Sequence, residues 1–266
     1  MRRRDFLRSC GAVALYSPQA FAAALDAAGP RRTLVLGGTA FALGYALAHP
    51  GETLVLERGI HLGAEFALTG DPDHPGTPAT PSGRALAEGL RQAGILSGDR
   101  LECPPLADYL SVFFAERGGR SFMNAELADV RRTKDGWQVE VYGGGSDGLQ
   151  TFTVARILDT TDLGWRQAGQ DAVTGKRLSA QTTTGPFHVS LPAAADWRTA
   201  RLALDEAWRQ RRPSSSVLLA EAGALKCLYG TARVERTSPE GIRWIPSAQF
   251  PTLMAAFEEG ALWTWR

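Results

Sequence analysis

Residues 33–59, TLVLGGTAFALGYALAHPGETLVLERG, constrain this 266-residue chain more than any other stretch. Thr33-Leu34-Val35-Leu36 is a compact apolar run that ends at Gly37-Gly38. From Ala40 to His49 the pattern is helical, with Leu43, Ala46 and Leu47 on one face, and Pro50-Gly51 stops it. Thr53 to Leu56 is a second apolar run, and Glu57 closes it. Runs apolar on both faces belong inside a sheet. A helix this short between them leaves a parallel βαβ unit as the packing solution.

The turn and the closing acid carry chemistry. A βαβ unit that holds a dinucleotide wants G-x-G-x-x-G, for a tight turn, close approach to the pyrophosphate, and close helix packing. Here those positions are Gly37, Thr39 and Ala42, so only the first glycine is kept. Backbone N–H groups at the helix start still suit a phosphate. Thr39 adds an N-cap hydroxyl, and Ala42 adds one methyl at the contact. Glu57, about twenty residues after the turn, suits the 2′- and 3′-hydroxyls of an adenosine ribose.

Further along, Gly70 to Ser82 is a proline-rich loop, and helices are expected from Gly83 to Ala93 and from Leu106 to Arg117. Leu127 to Thr133, the Asp135-Gly136 turn and Trp137 to Tyr142 predict a hairpin, and Thr151 to Ala155 a third strand. Arg156 to Asp159 reads as a buried strand returning to the parallel sheet. Beyond Gly164 the pattern predicts a strand over Thr182 to Leu191 and a helix over Trp197 to Arg211. Shorter pieces follow, and a last helix from Phe250 to Trp263.

In this order the segments resemble the bacterial FAD-dependent oxidoreductases of the glutathione-reductase-like flavoprotein superfamily, in the branch whose turn reads GGTPAGI. Gly37-Gly38-Thr39-Ala40-Phe41-Ala42-Leu43 aligns with that heptad, and Glu57-Arg58 with Leu62-Gly63 resembles its "ER…LGG" continuation. The run from Leu127 to Ala155 stands where that superfamily inserts a β-meander. Asp159 to Gly164 is similar to its "DATExGD" segment. The resemblance implies an α/β protein with a Rossmann-like FAD/NAD(P)-binding fold, an inserted β-meander and a small α+β substrate domain. It implies FAD contacts at Gly37, Gly38, Thr39, Ala42, Glu57, Arg58, Gly63, Val130 (backbone to adenine) and Thr161. It implies domains at 31–169 plus 243–266, with the meander at 127–155 and the substrate domain at 170–242. The chain also departs from the pattern. Phe41 and Ala42 replace small residues expected beside the pyrophosphate, and Asp162 and Trp165 replace an expected glutamate and aspartate. Ser247-Ala248-Gln249-Phe250 stands where an acid for the flavin ribityl chain is expected.

Histidines are the natural acid–base candidates beside a flavin. His188, in "TTTGPFHVSLP", is the first choice and His61, after Glu57-Arg58, the second; His49 and His74 read as a helix end and a loop tip. No C-x-x-C or H-E-x-x-H occurs, so no metal site is expected. Gly144 to Gly148 satisfies G-x-S-x-G, but it lies between hairpin strands, whereas a nucleophile elbow joins a strand to a helix.

At its start the chain carries Arg2-Arg3-Arg4-Asp5-Phe6-Leu7, similar to the twin-arginine export signature. A short apolar stretch and Ala20-Phe21-Ala22 follow, which predicts a signal peptide over 1–22 and a periplasmic protein. The other reading is a basic start on a cytoplasmic domain. The apolar stretch is shorter than the ~20 residues that span a bilayer, so no stable membrane span is expected. Net charge is +1, from 29 basic and 28 acidic residues, which excludes a nucleic-acid binder acting by phosphate neutralisation. Cys103 and Cys227 remain after cleavage, and two buried, unbridged thiols are expected. Two functions stay open. One is an exported FAD-dependent oxidoreductase passing hydride from a small organic substrate to flavin. The other is a non-catalytic protein of the same fold that has lost FAD and acts as a binding or partner subunit, and a homo-oligomer is compatible with either. An NAD(P)-dependent dehydrogenase is a weaker third, because the β-meander belongs to the flavin architecture.

Overall fold

The computed structural model describes residues 32–68, 75–143, 148–167, 169–182, 185–211 and 219–265. The 1–22 signal, His74 and the Gly144 to Asp147 part of the glycine loop lie outside the described residues.

β1 (Thr33–Leu36), α1 (Ala40–Ala48) and β2 (Thr53–Glu57) form the expected unit, with β1 and β2 parallel from Thr33 opposite Thr53 to Leu36 opposite Leu56. The chain then runs through α2 (Ala64–Ala67), α3 (Pro81–Gln92), a small hairpin of β3 (Leu96–Ser97) and β4 (Arg100–Leu101), and α4 (Cys103–Glu116). β5 (Ser121–Met123) adds to the free edge of β2. An antiparallel meander follows, of β6 (Ala125–Thr133), β7 (Gly136–Gly143) and β8 (Leu149–Val154). β9 (Arg156–Asp159) then inserts on the other side of β1. β10 (Val173–Thr182), β11 (Gly185–Leu191), α5 (Trp197–Arg211) and β12 (Leu219–Tyr229) make a second sheet with its helix. β13 (Arg236–Thr237) and β14 (Arg243–Trp244) bring the chain back to the first sheet, and α6 (Leu253–Leu262) ends it.

The main sheet has the order β13-β14-β9-β1-β2-β5, parallel from β14 to β5. Strand periodicity sorts its residues onto two faces. Val35, Val55 and Leu158 face the helices and join Phe41, Leu86, Leu106 and Phe257 in one core. Leu34, Leu36, Leu54, Leu56 and Ile157 face the meander and join Trp137, Val139 and Phe152 in another. Both faces are covered, which is why these strands are continuously apolar.

α6 crosses α1 at backbone distance. A Cβ on Gly44 would run into the Phe257 carbonyl, and one on Gly260 into the Phe41 carbonyl. The Phe41 ring stacks on Phe250 at 5.6 Å and meets Trp263 edge-on at 6.4 Å. Phe41 was expected to crowd a pyrophosphate; its ring is in the helical core instead, completely buried.

The second sheet, β11-β10-β12, covers Leu178 and Ala180 with Ala200 and Leu204 of α5. Here the sequence pattern was least informative. The strand expected over Thr182 to Leu191 is found as β11, whereas β10, which pairs with it, was not expected, and the short piece expected over Ala224 to Tyr229 is the end of a longer strand, β12. Cys103 and Cys227 are both buried and not joined in a disulfide. Among the described residues no helix is long and apolar enough to cross a membrane.

Candidate nucleotide-binding site

A cleft of about 490 Å³ opens at the carboxyl ends of β1, β2 and β9, where strands run to either side of β1. Open parallel sheets bind ligands at such a reversal, and the volume lies within the usual range for small-molecule sites. Leu36, Leu56, Ala125 and Leu127 give it an apolar wall. Glu57 supplies the acid. Its Oε2 accepts from the Gly38 N–H at 2.6 Å and its Oε1 from the Gly59 N–H at 2.5 Å. Two backbone donors therefore fix the carboxylate, and each oxygen keeps acceptor capacity for a ligand hydroxyl. Arg58 pairs with Glu126 at the rim, and both are exposed, so this pair adds little.

The opposite wall is the turn after β9. Asp159 is buried, and burial pushes its carboxyl above the usual carboxylate range. Its Oδ1 accepts from Thr161 N–H at 2.9 Å and Thr161 Oγ1 at 2.7 Å, and its Oδ2 from Trp165 N–H. Trp244 Nε1 donates to the Thr161 carbonyl at 2.8 Å. These bonds hold Thr161, Gly164 and Trp165 against the cleft.

The helix start is arranged differently from a phosphate site. Gly37 has φ +87°, open to glycine at little cost, and its N–H donates to the Leu56 carbonyl at 2.8 Å. Thr39 caps α1, accepting from Ala42 N–H at 3.2 Å and donating through Oγ1 to Thr160 Oγ1 at 2.8 Å. The Ala40 N–H donates to Glu65 Oε1 at 2.7 Å, and the Phe41 N–H to Ser247 Oγ at 3.3 Å. Ser247 Oγ in turn donates to Glu65 Oε1 at 2.8 Å. Glu65 is buried, and burial raises its pKa to about 7 against the lowering pull of Ala40 N–H and Ser247. A carboxylate from the chain itself thus stands where a phosphate would stand.

Two further contacts close this seat. The Leu62 side chain occupies the space that a Cβ on Gly38 would need, and the Gly63 N–H donates to the Gly38 carbonyl at 2.6 Å. Gly38 therefore admits Leu62, where the fingerprint's close approach would admit a ligand. Beyond the seat, β12 is tied to the end of α2 by Ala224 N–H to the Leu68 carbonyl at 2.6 Å. Lys226 Nζ lies 5.5 Å from the Phe66 ring, and Tyr229 donates its hydroxyl to the Asp162 carbonyl. Burial raises the Asp162 carboxyl to about 6, opposed by the charge of Lys226. The residues present fit the adenosine half of FAD; with Glu65 at the helix start they do not fit its pyrophosphate.

Of the residues expected at a site, Gly37, Glu57, Arg58 and Thr161 line the cleft together. Gly38 touches it only through its bond to Glu57. Thr39 is a helix cap, Ala42 is wholly buried, and Gly63 braces the turn. Val130 packs against the meander core, and the meander residues at the cleft are Ala125, Glu126 and Leu127. His61 is half-buried in the loop after β2, and His188 is exposed on β11, paired with Ser179; neither lines the cleft. No group of His, Cys, Asp and Glu suited to a metal occurs among the described residues. Sequence reasoning passed over Glu65, whose signal was an acid inside the apolar run "LGAEFAL", and gave Ser247 no partner.

A parallel sheet with helices on one face, a meander on the other and an acid at the tip of its second strand is the Rossmann-like fold of FAD/NAD(P)-binding proteins. No protein-family model and no curated protein sequence matches the chain. Solved structures do. Glycerol-3-phosphate dehydrogenase from Bacillus halodurans, complexed with FAD, is similar with a TM-score of 0.57 at 11% identity. That match covers 89% of this chain and 65% of the dehydrogenase, just under two thirds of its length. Glycine oxidase from Geobacillus kaustophilus gives 0.55 at 14% identity, over 86% of this chain and 92% of the oxidase. A geranylgeranyl bacteriochlorophyll reductase-like protein from Thermoplasma acidophilum gives 0.55 at 10%, over 86% and 76%. At these identities the likeness establishes the fold.

Proposed function

We propose that the Glu57 cleft binds the adenosine half of an adenine dinucleotide, FAD being the one to which the fold points. On this reading the protein is a flavin-linked oxidoreductase for a small organic molecule, exported by the twin-arginine route to the periplasm. One observation carries the proposal. Glu57 is fixed by two backbone N–H groups at the carboxyl edge of β2, beside an apolar wall, in a cleft of about 490 Å³. That pairing of a diol acceptor with an apolar wall is what an adenosine requires. Since the pyrophosphate seat is filled, no chemical step is assigned to flavin here and neither histidine is given a catalytic role.

A second reading is a binding or partner subunit of the same fold without flavin. The specific observation in its favour is the buried Glu65 carboxylate on the Ala40 N–H. Expression without residues 1–22 separates the two. A yellow protein with a flavin spectrum, stabilised against heat by added FAD, supports the enzyme. A colourless, folded protein that adenosine stabilises and FAD does not, in wild type and in Glu65→Gln alike, supports the subunit. Indifference to adenosine, ADP and FAD alike would sink the nucleotide proposal.

A further inference from the structure

Resting on the reading that adenine enters the Glu57 cleft, we infer that Glu65 is a built-in stand-in for the ligand's phosphate. In its closed form the site then selects adenine nucleosides over phosphorylated ligands, and a dinucleotide is held only once Glu65 has left the helix start. Several independent contacts place the carboxylate there. It accepts from the Ala40 N–H at 2.7 Å, and Ser247 donates to the same oxygen at 2.8 Å. Ser247 is itself fixed by its N–H to the Thr160 carbonyl at 3.1 Å and by accepting from the Phe41 N–H at 3.3 Å. Leu62 packs into the space beside Gly38, so the loop carrying Glu65 lies over the turn.

One seat and two anions compete. A helix N-terminus favours whichever negative group reaches it, because its first N–H groups point outward without intrahelical partners. A pyrophosphate at this position would have to share the Ala40 donor with Glu65 and the Phe41 donor with Ser247. It would put like charges within about 4 Å of one another, a strongly unfavourable arrangement in a water-poor site. The cleft lining matches this division: it includes Gly37 and Glu57 but no residue of α1. Ligand contacts therefore extend as far as the ribose and stop before the phosphates.

The test is calorimetric titration of wild type, Glu65→Gln and Glu65→Ala with adenosine, ADP and FAD at one ionic strength and at about pH 8.5, where Glu65, with its pKa raised to about 7, carries its charge. Wild type is expected to bind ADP no more than twofold tighter than adenosine. Removing the charge should tighten ADP and FAD at least tenfold and leave adenosine within threefold, Glu65→Gln keeping an acceptor for the Ala40 N–H. ADP binding to wild type more than tenfold tighter than adenosine would overturn the inference. So would variants that bind ADP as wild type does. If Glu65→Ala fails to fold, Glu65→Gln and the wild-type comparison still decide. Failure of all three proteins to bind adenosine would remove the cleft proposal beneath it, whereas adenosine binding indifferent to Glu65 removes this inference alone.

Discussion

Glu57 ends β2 and Glu65 stands in α2, on either side of the same short connection, and what surrounds them differs. Glu57 is half-buried, faces the cleft, and accepts from Gly38 and Gly59. Glu57→Gln should weaken adenosine binding by about 1–3 kcal/mol, the value of charge-assisted hydrogen bonds to a ligand. An amide still accepts from one backbone N–H, so unfolding stability should fall by less than about 1 kcal/mol; titration calorimetry and urea melts read the two effects separately. Glu65 instead responds to pH. Burial lifts its pKa from 4.5 to about 7, and that of nearby Asp162 from 3.8 to about 6, with Lys226 opposing the latter. The folded protein thus binds more protons than the unfolded chain across that interval, so stability is highest on the acid side and falls as pH rises through it. For Glu65 the loss is about 3 kcal/mol on complete titration, an order-of-magnitude figure. Urea melts at about pH 5 and about pH 8 should show this slope in wild type, and Glu65→Gln should remove its upper part.

Among the elements, α1 has two different ends. Its start is sealed by Thr39, Glu65 and Ser247, and its middle is pressed on α6 through Gly44 and Gly260. A methyl at Gly44 or Gly260 meets a backbone carbonyl, which cannot swing aside as a side chain can. Gly44→Ala and Gly260→Ala should each cost at least about 2 kcal/mol, the upper part of the overpacking range, read as a lower urea midpoint. Ala42 behaves otherwise. It is the third fingerprint position and was expected to touch the pyrophosphate, yet it is fully buried and does not line the cleft. Ala42→Gly should therefore lower stability by about 1 kcal/mol through helix propensity and leave adenosine affinity unchanged. A gain in nucleotide affinity in that variant would show that phosphate reaches α1 after all.

For the whole molecule, the parallel sheet offers a cleft at its edge while the second sheet closes the space beyond. β12 makes that closure, through Ala224 to Leu68, Lys226 over Phe66 and Tyr229 to Asp162. A ligand bound only to the folded state stabilises it by mass action, about 2.7 kcal/mol at a hundredfold excess over Kd. Adenosine at that excess should raise the melting temperature by the matching amount, and the same concentration of FAD should raise it less. The reverse order would mean that β12 and Glu65 give way together to the larger ligand.

How much of this was legible beforehand follows the range of the forces involved. The β1–α1–β2 unit, β9, the meander and Glu57 all follow from local pattern: apolar runs, a glycine turn, a hairpin signal and an acid at a strand tip. Each is set by neighbours along the chain, so periodicity suffices to find it. The second sheet was less readable, because only β11, with Phe187, Val189 and Leu191 alternating with exposed His188 and Ser190, carries a clean strand pattern, whereas its partner β10 reads VTGKRLSAQT with none. The filling of the phosphate seat could not be read at all. It needs residues 40, 65 and 247 to converge on one point, with Leu62 folded over Gly38. A helix start exposes the same donors whether a ligand or a side chain reaches them, and the sequence by itself determined only that those donors exist. Which group satisfies them was decided by the tertiary structure, because a buried N–H takes whatever acceptor the distant chain brings within hydrogen-bonding distance.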